Sequence, residues 1–299
     1  MGAVTEGKTK RVTPGPKAGT VLFYSKDELT GGDAAKRVTI EGIAAQKTAQ
    51  TANVFRLLQS HGIPVAFVEK VSAREILCAD CEMIPLELVT RRFAWGSFLK
   101  REPSFKRSNG APHRFSEPRC EFFHKHAIAV PPLVPEPEQM EEGLAREKYL
   151  KDGVWQQGVF TDPYVHISNG TWKLYSAKNT FDEADALLTI PPALSATERT
   201  FVIERLMLPG FLALENAWSK VITEHGPVAL ADLKIEAGRR KTDGAIVIAD
   251  VIDNDSWRIW PGGDPVKQLD KQNFRDGHPL REVADNYALV TELTRQFAL

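Results

Sequence analysis

The chain has 299 residues, of which 42% are hydrophobic and 26% are charged. This composition is ordinary for a globular protein, and it excludes a disordered chain, a disulfide-stabilised miniprotein and a fibrous repeat. Lysine and arginine number 38, and aspartate and glutamate number 39, which gives a net charge of −1. The chain therefore lacks the overall positive field that attracts nucleic acid or an anionic membrane, and any binding of a polyanion must be local.

Cysteine usage and the N-terminal sequence indicate a reducing compartment. The three cysteines, Cys78, Cys81 and Cys120, are too few and odd in number for a disulfide framework. Residues 1–6 lack the apolar run of a secretory signal, and no stretch approaches the roughly 18 apolar residues of a membrane span. We therefore expect a cytoplasmic protein that has no membrane partner.

The first part of the chain predicts strands on both sides of one helix. Apolar residues recur at helical spacing over residues 40–60, and the His-Gly-Ile-Pro sequence at 61–64 ends that pattern. Runs with strand composition lie at residues 6–12, 21–24, 65–68, 75–78 and 83–90. This order of elements predicts an α+β fold rather than a strictly alternating parallel sheet.

The composition changes over residues 131–192, which are rich first in proline and glutamate and then in aromatic residues. We predict that this stretch is an inserted segment. Within it, Asn169 and Gly170 predict a tight hairpin turn, because both residues readily take a positive φ. Regular structure resumes where Ser195 and Glu198 form a capping-box pattern that predicts the start of a helix.

One strand carries charged residues at every second position. Asp232, Lys234 and Glu236 share one face of this strand, because strand side chains alternate between faces. A hairpin centred on Asp243 places Glu236 opposite Asp250. Two opposed carboxylates repel unless a cation lies between them, and Mg²⁺ with a phosphate is the natural counterion. A solvated face on which Lys234 neutralises a carboxylate stays open, since a one-residue slip in register separates the pair.

A second candidate site lies near the N-terminus, where Lys8 and Lys10 share one face of an extended segment after Gly7. Paired ammonium groups beside a flexible glycine suit a polyphosphate. Alternating lysines are also typical of an edge strand that is protected against aggregation, so both interpretations stay open here. The sequence has neither the Walker pattern nor the G-x-G-x-x-G pattern, so it supports neither a P-loop nor a Rossmann nucleotide site.

Six motifs together resemble the phosphoribosylaminoimidazole-succinocarboxamide synthase (SAICAR synthetase) family, most closely the synthetase half of the animal bifunctional purine enzyme. They occur in the family's order over about residues 6–126 and 197–276, and six motifs in register are far more specific than one. The motifs lie at residues 6–10, 25–27 with 30–33, 81–85, 96–101, 232–236 and 250–260.

The resemblance implies a two-lobed α+β fold related to ATP-grasp enzymes, with the nucleotide in the cleft between the lobes. Residues 1–90 are expected to form the nucleotide-binding lobe, and residues 91–299 the catalytic and substrate lobe with the inserted segment at about 131–192. The implied reaction is the ATP-dependent joining of L-aspartate to the carboxylate of carboxyaminoimidazole ribonucleotide, a step of purine biosynthesis. ATP first phosphorylates the carboxylate, and the aspartate amine then displaces phosphate from the acyl phosphate.

The resemblance also implies roles for individual residues, with ATP and Mg²⁺ as cofactors. The residues expected to bind ATP are Gly7, Lys8, Lys10, Met83 and Lys234. Those expected to bind the imidazole ribonucleotide are Arg91, Ser97, Asp232 and Arg258, while Glu236 and Asp250 hold the metal. Lys234 and Asp232 are the expected catalytic residues.

The chain departs from the family pattern on the acceptor side. Residues 123–127 (Phe-His-Lys-His-Ala) replace an acidic run, and the equivalent of the family's Asp-Pro pair, Asp162 and Pro163, follows only after the proline-rich stretch. Two alternatives therefore stay open: a divergent ligase of the same fold with another acid or amine, and a nucleotide-binding scaffold without turnover. The sequence allows a homo-oligomer and does not identify the residues that bind aspartate.

Overall fold

The computed structural model of the protein describes residues 4–7, 9–31 and 36–297. Within those residues the chain packs into two compact units. The segments up to Met83 and from Glu204 onwards form the first unit, and Ile84–Ile203 form the second. The predicted division of function between residues 1–90 and 91–299 stays a prediction.

The described residues form 21 strands, numbered in chain order. They are β1 (Thr5–Glu6), β2 (Lys10–Pro14), β3 (Thr20–Ser25), β4 (Glu28–Gly31), β5 (Lys36–Thr39), β6 (Phe67–Lys70), β7 (Glu75–Ala79), β8 (Cys81–Ala94), β9 (His113–His124), β10 (His126–Ala129), β11 (Glu138–Glu141), β12 (Leu150–Lys151), β13 (Val154–Trp155), β14 (Val159–Phe160), β15 (Tyr164–Ser168), β16 (Thr171–Tyr175), β17 (Leu188–Ile190), β18 (Ile222–Thr223), β19 (Gly226–Arg240), β20 (Ile246–Ala249) and β21 (Trp257–Pro261).

The same residues form seven α-helices. They are α1 (Ile43–Ser60), α2 (Ser97–Arg101), α3 (Glu142–Tyr149), α4 (Ala196–Phe201), α5 (Leu208–Lys220), α6 (Gln272–Arg275) and α7 (Leu280–Thr294). A π-helical segment, Val202–Met207, joins α4 to α5. No helix of the described chain is both long and apolar enough to cross a membrane. The mixture of helices and strands confirms the predicted class.

The N-terminal part of the first unit is an antiparallel sheet in the order β1-β2-β3-β7-β6. Helix α1 packs against this sheet and against α7, and it buries an apolar stripe that includes Phe55 and Leu58. The helix begins at Ile43, three residues after the predicted start, because Gly42 takes a φ of 83°. The carboxylate of Asp27 then accepts the amide of Ala44 over 3.0 Å, which satisfies one donor of the first turn.

The C-terminal part of the first unit is organised by the long strand β19, which pairs antiparallel with β18, β20 and β21. Helix α5 packs against β19. The Trp218 ring of this helix lies edge-on to Trp257 and Phe297, with ring centroids 5.5 and 4.9 Å away. The contact with Trp257 holds α5 against the start of β21, the strand that carries Arg258.

The second unit contains the antiparallel strand order β8-β9-β15-β16-β17. The predicted hairpin is confirmed, because Ser168 pairs with Thr171 across a two-residue turn. The turn residues Asn169 and Gly170 have φ values of 50° and 77°, as such a turn requires. The predicted capping box is also confirmed at the start of α4, where Ser195 and Glu198 bond reciprocally.

The predicted inserted segment has regular structure of its own. Strand β10 pairs with β11 and β14, and helix α3 follows β11 directly. The side chain of Tyr149 on this helix is buried with Ala129 and Val134. The proline-rich composition of this stretch therefore does not prevent a small packed core.

Candidate functional site

The N-terminal ribbon, residues 6–10, contains a tight backbone turn. The amide of Gly7 donates to the carbonyl of Lys10 over 2.8 Å, and the ammonium of Lys26 donates to the Gly7 carbonyl over 2.9 Å. A side chain at position 7 would place its Cβ only 3.2 Å from the Lys10 carbonyl oxygen, so glycine suits this turn. Lys8, the other predicted phosphate-binding lysine, lies outside the described residues.

Lys10 connects the N-terminal ribbon to the second candidate site. Its ammonium forms an ion pair with the carboxylate of Asp250, and the two side chains are 22% and 19% exposed. Asp250 directly follows strand β20 and has a φ of 65°, a left-handed conformation that aspartate tolerates better than most residues. The structure thus brings together one residue predicted to bind phosphate and one predicted to bind metal.

The predicted cross-strand pairing of the two metal candidates is wrong by one residue. Glu236 on β19 pairs with Ala249 on β20, and Asp250 lies one position beyond the end of that strand. The two carboxylates are therefore not directly opposed across the strands, contrary to the prediction. Both acidic residues still lie at the same end of the hairpin, and Glu236 is buried.

The register differs because the turn is longer than predicted. A turn centred on Asp243 needs three residues, whereas residues 241–244 form a four-residue turn closed by the Arg240 amide and the Ala245 carbonyl over 2.9 Å. The Asp243 carboxylate fixes this turn, because it accepts the Ala245 amide over 3.1 Å and the Arg240 guanidinium over 2.9 Å. Gly244 completes the turn with a φ of 73°.

The donor set of Glu236 and Asp250 fits Mg²⁺ that arrives with a nucleotide. Carboxylate oxygens are the hard donors that Mg²⁺ prefers. Among the described residues, no group of three or more His, Cys, Asp or Glu side chains could hold a metal ion by itself. Mg²⁺ commonly takes one or two protein carboxylates and completes its ligands with water and substrate phosphates. A metal held by protein groups alone does not fit this arrangement.

The charged face of β19 continues from Glu236 to Lys234 and Asp232. Strand alternation places all three on one side, and the side chain of Lys234 is half-buried between two buried acidic residues. The Lys234 amide donates to the Ser256 carbonyl over 2.7 Å, which fixes this part of the strand next to the segment that leads into β21.

Asp232 lies directly opposite Arg258 on β21, and the two side chains form an ion pair. Both residues were predicted to bind the imidazole ribonucleotide. The Nε atom of Arg258 is buried and has no hydrogen-bond partner among the described residues. Because an unpaired buried N–H donor is costly, this atom suits an anionic ligand.

A buried carboxyl that was not predicted from the sequence, that of Asp270, supports the strand that carries Arg258. Asp270 accepts the backbone amides of Ile259 and Gln272 over 3.3 and 2.8 Å. Burial raises the pKa of Asp270 to about 6, although the nearby Arg258 guanidinium favours its ionised form.

A buried charged network anchors the loop before β21, and it was not predicted from the sequence. Asp255 accepts the ammonium groups of Lys47 over 2.9 Å and Lys271 over 3.1 Å, and it accepts the Tyr287 hydroxyl. Burial opposes ionisation, but the two ammonium groups hold the pKa of Asp255 well below its usual range. The only sequence signal was a lysine within the apolar pattern of α1.

Met83, the predicted adenine-side residue, lies in β8 and is 42% exposed. A side chain on Gly238 would place its Cβ 2.8 Å from Cys81 Cβ and 3.2 Å from Met83 Sδ. Glycine therefore allows β19 to approach the Met83 segment closely. The signal available in the sequence was a glycine inside a strand, which often marks such an approach.

The predicted substrate residues Arg91 and Ser97 lie in the second unit. Ser97 begins helix α2 directly after Gly96, whose φ is 60°. Arg91 is buried, and its Nε donates to the carboxylate of Glu121. The same carboxylate accepts a second buried guanidinium, that of Arg101. Glu121 and Arg101 were not predicted from the sequence; the one signal for Glu121 was its place directly before two phenylalanines in β9.

The two departures from the family pattern lie next to each other in the structure. The His124 amide donates to the Pro163 carbonyl over 2.9 Å, which places the His124 run beside the Asp162–Pro163 pair. The ring centroids of His124 and His126 are 4.7 Å apart, and neither Nδ1 atom has a hydrogen-bond partner among the described residues. Burial lowers the pKa of His124 to about 4, and the neighbouring His126 adds to this effect.

Comparison with known proteins identifies the family. The family model for SAICAR synthetase matches residues 3–153 and 203–292. A phosphoribosylaminoimidazole-succinocarboxamide synthase from Chloroflexus aurantiacus is 35% identical over 297 residues, which cover 97% of this chain and 95% of that protein. The chain belongs to the SAICAR synthetase family.

Two further similarities agree with this assignment. The chain is 37% identical over 281 residues to the multifunctional protein ADE2 of Gallus gallus, covering 94% of this chain and 53% of that protein. A solved structure of a SAICAR synthetase in complex with ADP aligns with a TM-score of 0.69 over 98% of this chain and 97% of that chain, at 23% identity. The structural likeness establishes that the fold is that of SAICAR synthetases.

The SAICAR synthetase family model leaves residues 154–202 unmatched. This gap contains the Asn169–Gly170 hairpin and overlaps the predicted inserted segment at 131–192. Strand β11 and helix α3 lie within the matched ranges. The boundaries and the role of the inserted segment stay predictions.

Proposed function

We propose that this chain is an ATP-dependent ligase that joins L-aspartate to the carboxylate of carboxyaminoimidazole ribonucleotide. The products are SAICAR, ADP and phosphate. Family membership supports this activity, as do relatives that carry the synthase name over nearly the whole chain. The observation within the molecule that carries the proposal is the ion pair between Lys10 and Asp250. It brings together an ammonium group, which can bind phosphate, and a carboxylate, which can bind a divalent metal.

The nucleotide is proposed to lie along the N-terminal ribbon. Lys10 and Lys8 would neutralise the triphosphate, Gly7 would allow the tight turn of the ribbon beside it, and Met83 would lie against the adenine. Lys10 neutralises Asp250 in this structure, so on binding ATP its ammonium would move from Asp250 onto phosphate oxygens, and the Asp250 carboxylate would then be available to hold the metal. An ammonium on a flexible stem is suited to such a movement.

Glu236 and Asp250 are proposed to hold Mg²⁺ together with the phosphates. When bound, this ion neutralises phosphate charge as the phosphoryl group is transferred. The two carboxylates that would hold it lie at the same end of the β19–β20 hairpin. Lys234, half-buried next to Glu236, contributes a further positive charge on the same face.

The ribonucleotide is proposed to bind through Arg91, Ser97, Asp232 and Arg258. Its carboxylate oxygen attacks the γ-phosphorus of ATP, and ADP leaves. The amine of aspartate then attacks the acyl carbon, phosphate leaves, and the nitrogen loses a proton. Asp232 holds Arg258 by an ion pair, so the Arg258 guanidinium is oriented before the substrate arrives.

A direct assay tests the proposed function. Purified chain is given ATP, Mg²⁺, the carboxylated ribonucleotide and L-aspartate, and ADP and SAICAR are quantified by chromatography. We expect one ADP for each SAICAR, and no product when any one component is omitted. ADP without SAICAR, or no ADP at all, contradicts the proposal. The comparisons do not favour a divergent ligase or a scaffold without turnover, and these outcomes of the assay would restore them.

Several finer expectations stay predictions. They are the kinship with ATP-grasp enzymes, the position of the nucleotide in a cleft, the cytoplasmic location and the homo-oligomer.

A further inference from the structure

The second unit contains a buried cluster of three charged side chains, which we call the arginine clamp: Arg91, Glu121 and Arg101. Their exposed fractions are 4%, 8% and 2%. Charged groups buried this deeply are costly unless they are paired with good geometry. Three such groups at one place therefore require that their side chains keep a well-defined mutual geometry.

One carboxylate connects the two guanidinium groups. Glu121 lies on β9 opposite Val89 of β8, two positions from Arg91 along that strand. Its Oε2 atom accepts the Nε of Arg91, and its Oε1 atom accepts a terminal nitrogen of Arg101. Because each oxygen is used by a different arginine, the orientation of one guanidinium is coupled to that of the other.

Arg101 is itself fixed by its surroundings. It ends helix α2, and its Nη1 donates to the Ala177 carbonyl over 2.9 Å. The guanidinium also lies 5.0 Å from the ring centre of Phe123 and 4.8 Å from that of Tyr164. Stacking and hydrogen bonding from several elements leave this side chain little freedom, so it is a rigid support for Glu121.

We propose that Glu121 and Arg101 are positioning residues for Arg91. Glu121 holds the Nε edge of Arg91 and so fixes the plane of the guanidinium that binds the ribonucleotide. This inference rests on the proposed function, because it assigns the arginine clamp to the ribonucleotide site. An arginine that is oriented before binding loses less side-chain entropy when its anionic ligand arrives.

The main competing explanation is that Glu121 only neutralises buried charge and stabilises the fold. The two roles predict different kinetics. A purely structural residue lowers stability or the amount of active protein and leaves the Michaelis constants of folded protein unchanged. A positioning residue changes the Michaelis constant (KM) for one substrate and acts only through Arg91.

The test compares Glu121→Gln with Glu117→Gln, which makes the same charge change at an exposed position on the same strand. In Glu121→Gln the new amide donors face arginine N–H groups, so one charged hydrogen bond is lost. We expect KM for the ribonucleotide to rise roughly ten- to a hundredfold, with KM for ATP changed less than twofold. Glu117→Gln should match the wild type in both constants.

A double-mutant cycle shows whether Glu121 acts through Arg91. In an Arg91→Lys background, which removes the Nε donor, Glu121→Gln should change KM for the ribonucleotide less than twofold. The same penalty in both backgrounds overturns the proposal. Should Glu121→Gln fail to fold, Glu121→Asp retains the charge but withdraws the carboxylate, and it should raise the same KM.

The experiment separates failure of this inference from failure of the proposed function. If the wild type does not form SAICAR, the proposed function is wrong and the assignment of the arginine clamp falls with it. If the wild type is active but the folded Glu121 variant, Gln or Asp, has the same KM for the ribonucleotide as Glu117→Gln, the inference alone is wrong. An equal rise in KM for ATP and for the ribonucleotide also overturns it.

Discussion

Lys10 and Asp250 form an ion pair although 240 positions separate them in the chain. The pair joins the N-terminal ribbon to the end of the β19–β20 hairpin. Two short motifs that each allow an ordinary structural explanation therefore occupy one place in the first unit. Their proximity supports a common ligand that carries both phosphate groups and a divalent cation.

Lys10→Met tests the phosphate-binding role of the N-terminal ribbon. The variant keeps the length of the side chain but removes its charge, so a charge-assisted hydrogen bond to ATP is lost. We expect KM for ATP to rise roughly tenfold or more, with KM for L-aspartate unchanged. Lys17→Met, an exposed change in the β2–β3 turn, is the matched control. Equal KM values for ATP in the two variants would refute the role.

Glu236→Gln tests the metal role. The amide has nearly the same shape as the carboxylate but lacks the negative charge that Mg²⁺ requires. Turnover should fall at least a hundredfold while the circular dichroism spectrum and melting temperature stay close to those of wild type. Glu224→Gln, at an exposed turn residue, should retain full activity. Wild-type turnover in Glu236→Gln would rule out its metal role.

The sequence predicted the principal helix, several of the strands and the shared face of Asp232, Lys234 and Glu236 on β19, because these depend on local periodicity and residue type. It did not predict the register of the β19–β20 hairpin. That register depends on the Asp243 side chain, whose bonds to Arg240 and Ala245 favour a four-residue turn over a three-residue one. Periodicity along a strand does not report such a side-chain contact, and one residue in the turn shifts every pair in the hairpin.

The buried networks were missed for a different reason. Lys47 and Asp255 are 208 positions apart, and Glu121 joins arginines 30 and 20 positions away. A buried ion pair combines charged residues from distant segments. Considered alone in the sequence, each of these residues is of a type that usually lies on the protein surface. Only the packed structure shows that these charges are removed from water and paired.

The Asp255 network makes a specific prediction about stability. Asp255→Asn removes the carboxylate that forms ion pairs with the buried ammonium groups of Lys47 and Lys271. The free energy of unfolding should fall by about 3 kcal/mol, measured by urea denaturation at pH 7. Asp285→Asn, an exposed change on α7, should alter it by less than about 0.5 kcal/mol. Similar losses in the two variants would show that the network contributes little.

His124 makes a prediction about pH. Burial lowers its pKa from 6.5 to about 4, so between these values the unfolded chain binds the proton more readily than the folded chain. The contribution of neutral His124 to the free energy of unfolding is therefore fully present above pH 6.5 and is lost as the pH falls towards 4. Over that pH range, this pKa shift corresponds to a loss of about 3 kcal/mol in the free energy of unfolding.

The matched variant is His124→Gln, which does not titrate. The difference in unfolding free energy between wild type and variant should shift by about 3 kcal/mol against the wild type between pH 7 and pH 4. Urea denaturation at several pH values measures this difference directly. A difference that stays constant over the range would show that His124 is protonated as easily in the folded chain as in water.

The most direct test of the proposed reaction follows oxygen from the ribonucleotide carboxylate into phosphate. The ribonucleotide is labelled with oxygen-18 in its carboxylate and converted in unlabelled water with ATP, Mg²⁺ and L-aspartate, and the released phosphate is analysed by mass spectrometry. Formation of an acyl phosphate transfers one labelled oxygen to each phosphate produced. Unlabelled phosphate, released alongside SAICAR or without it, would contradict the account.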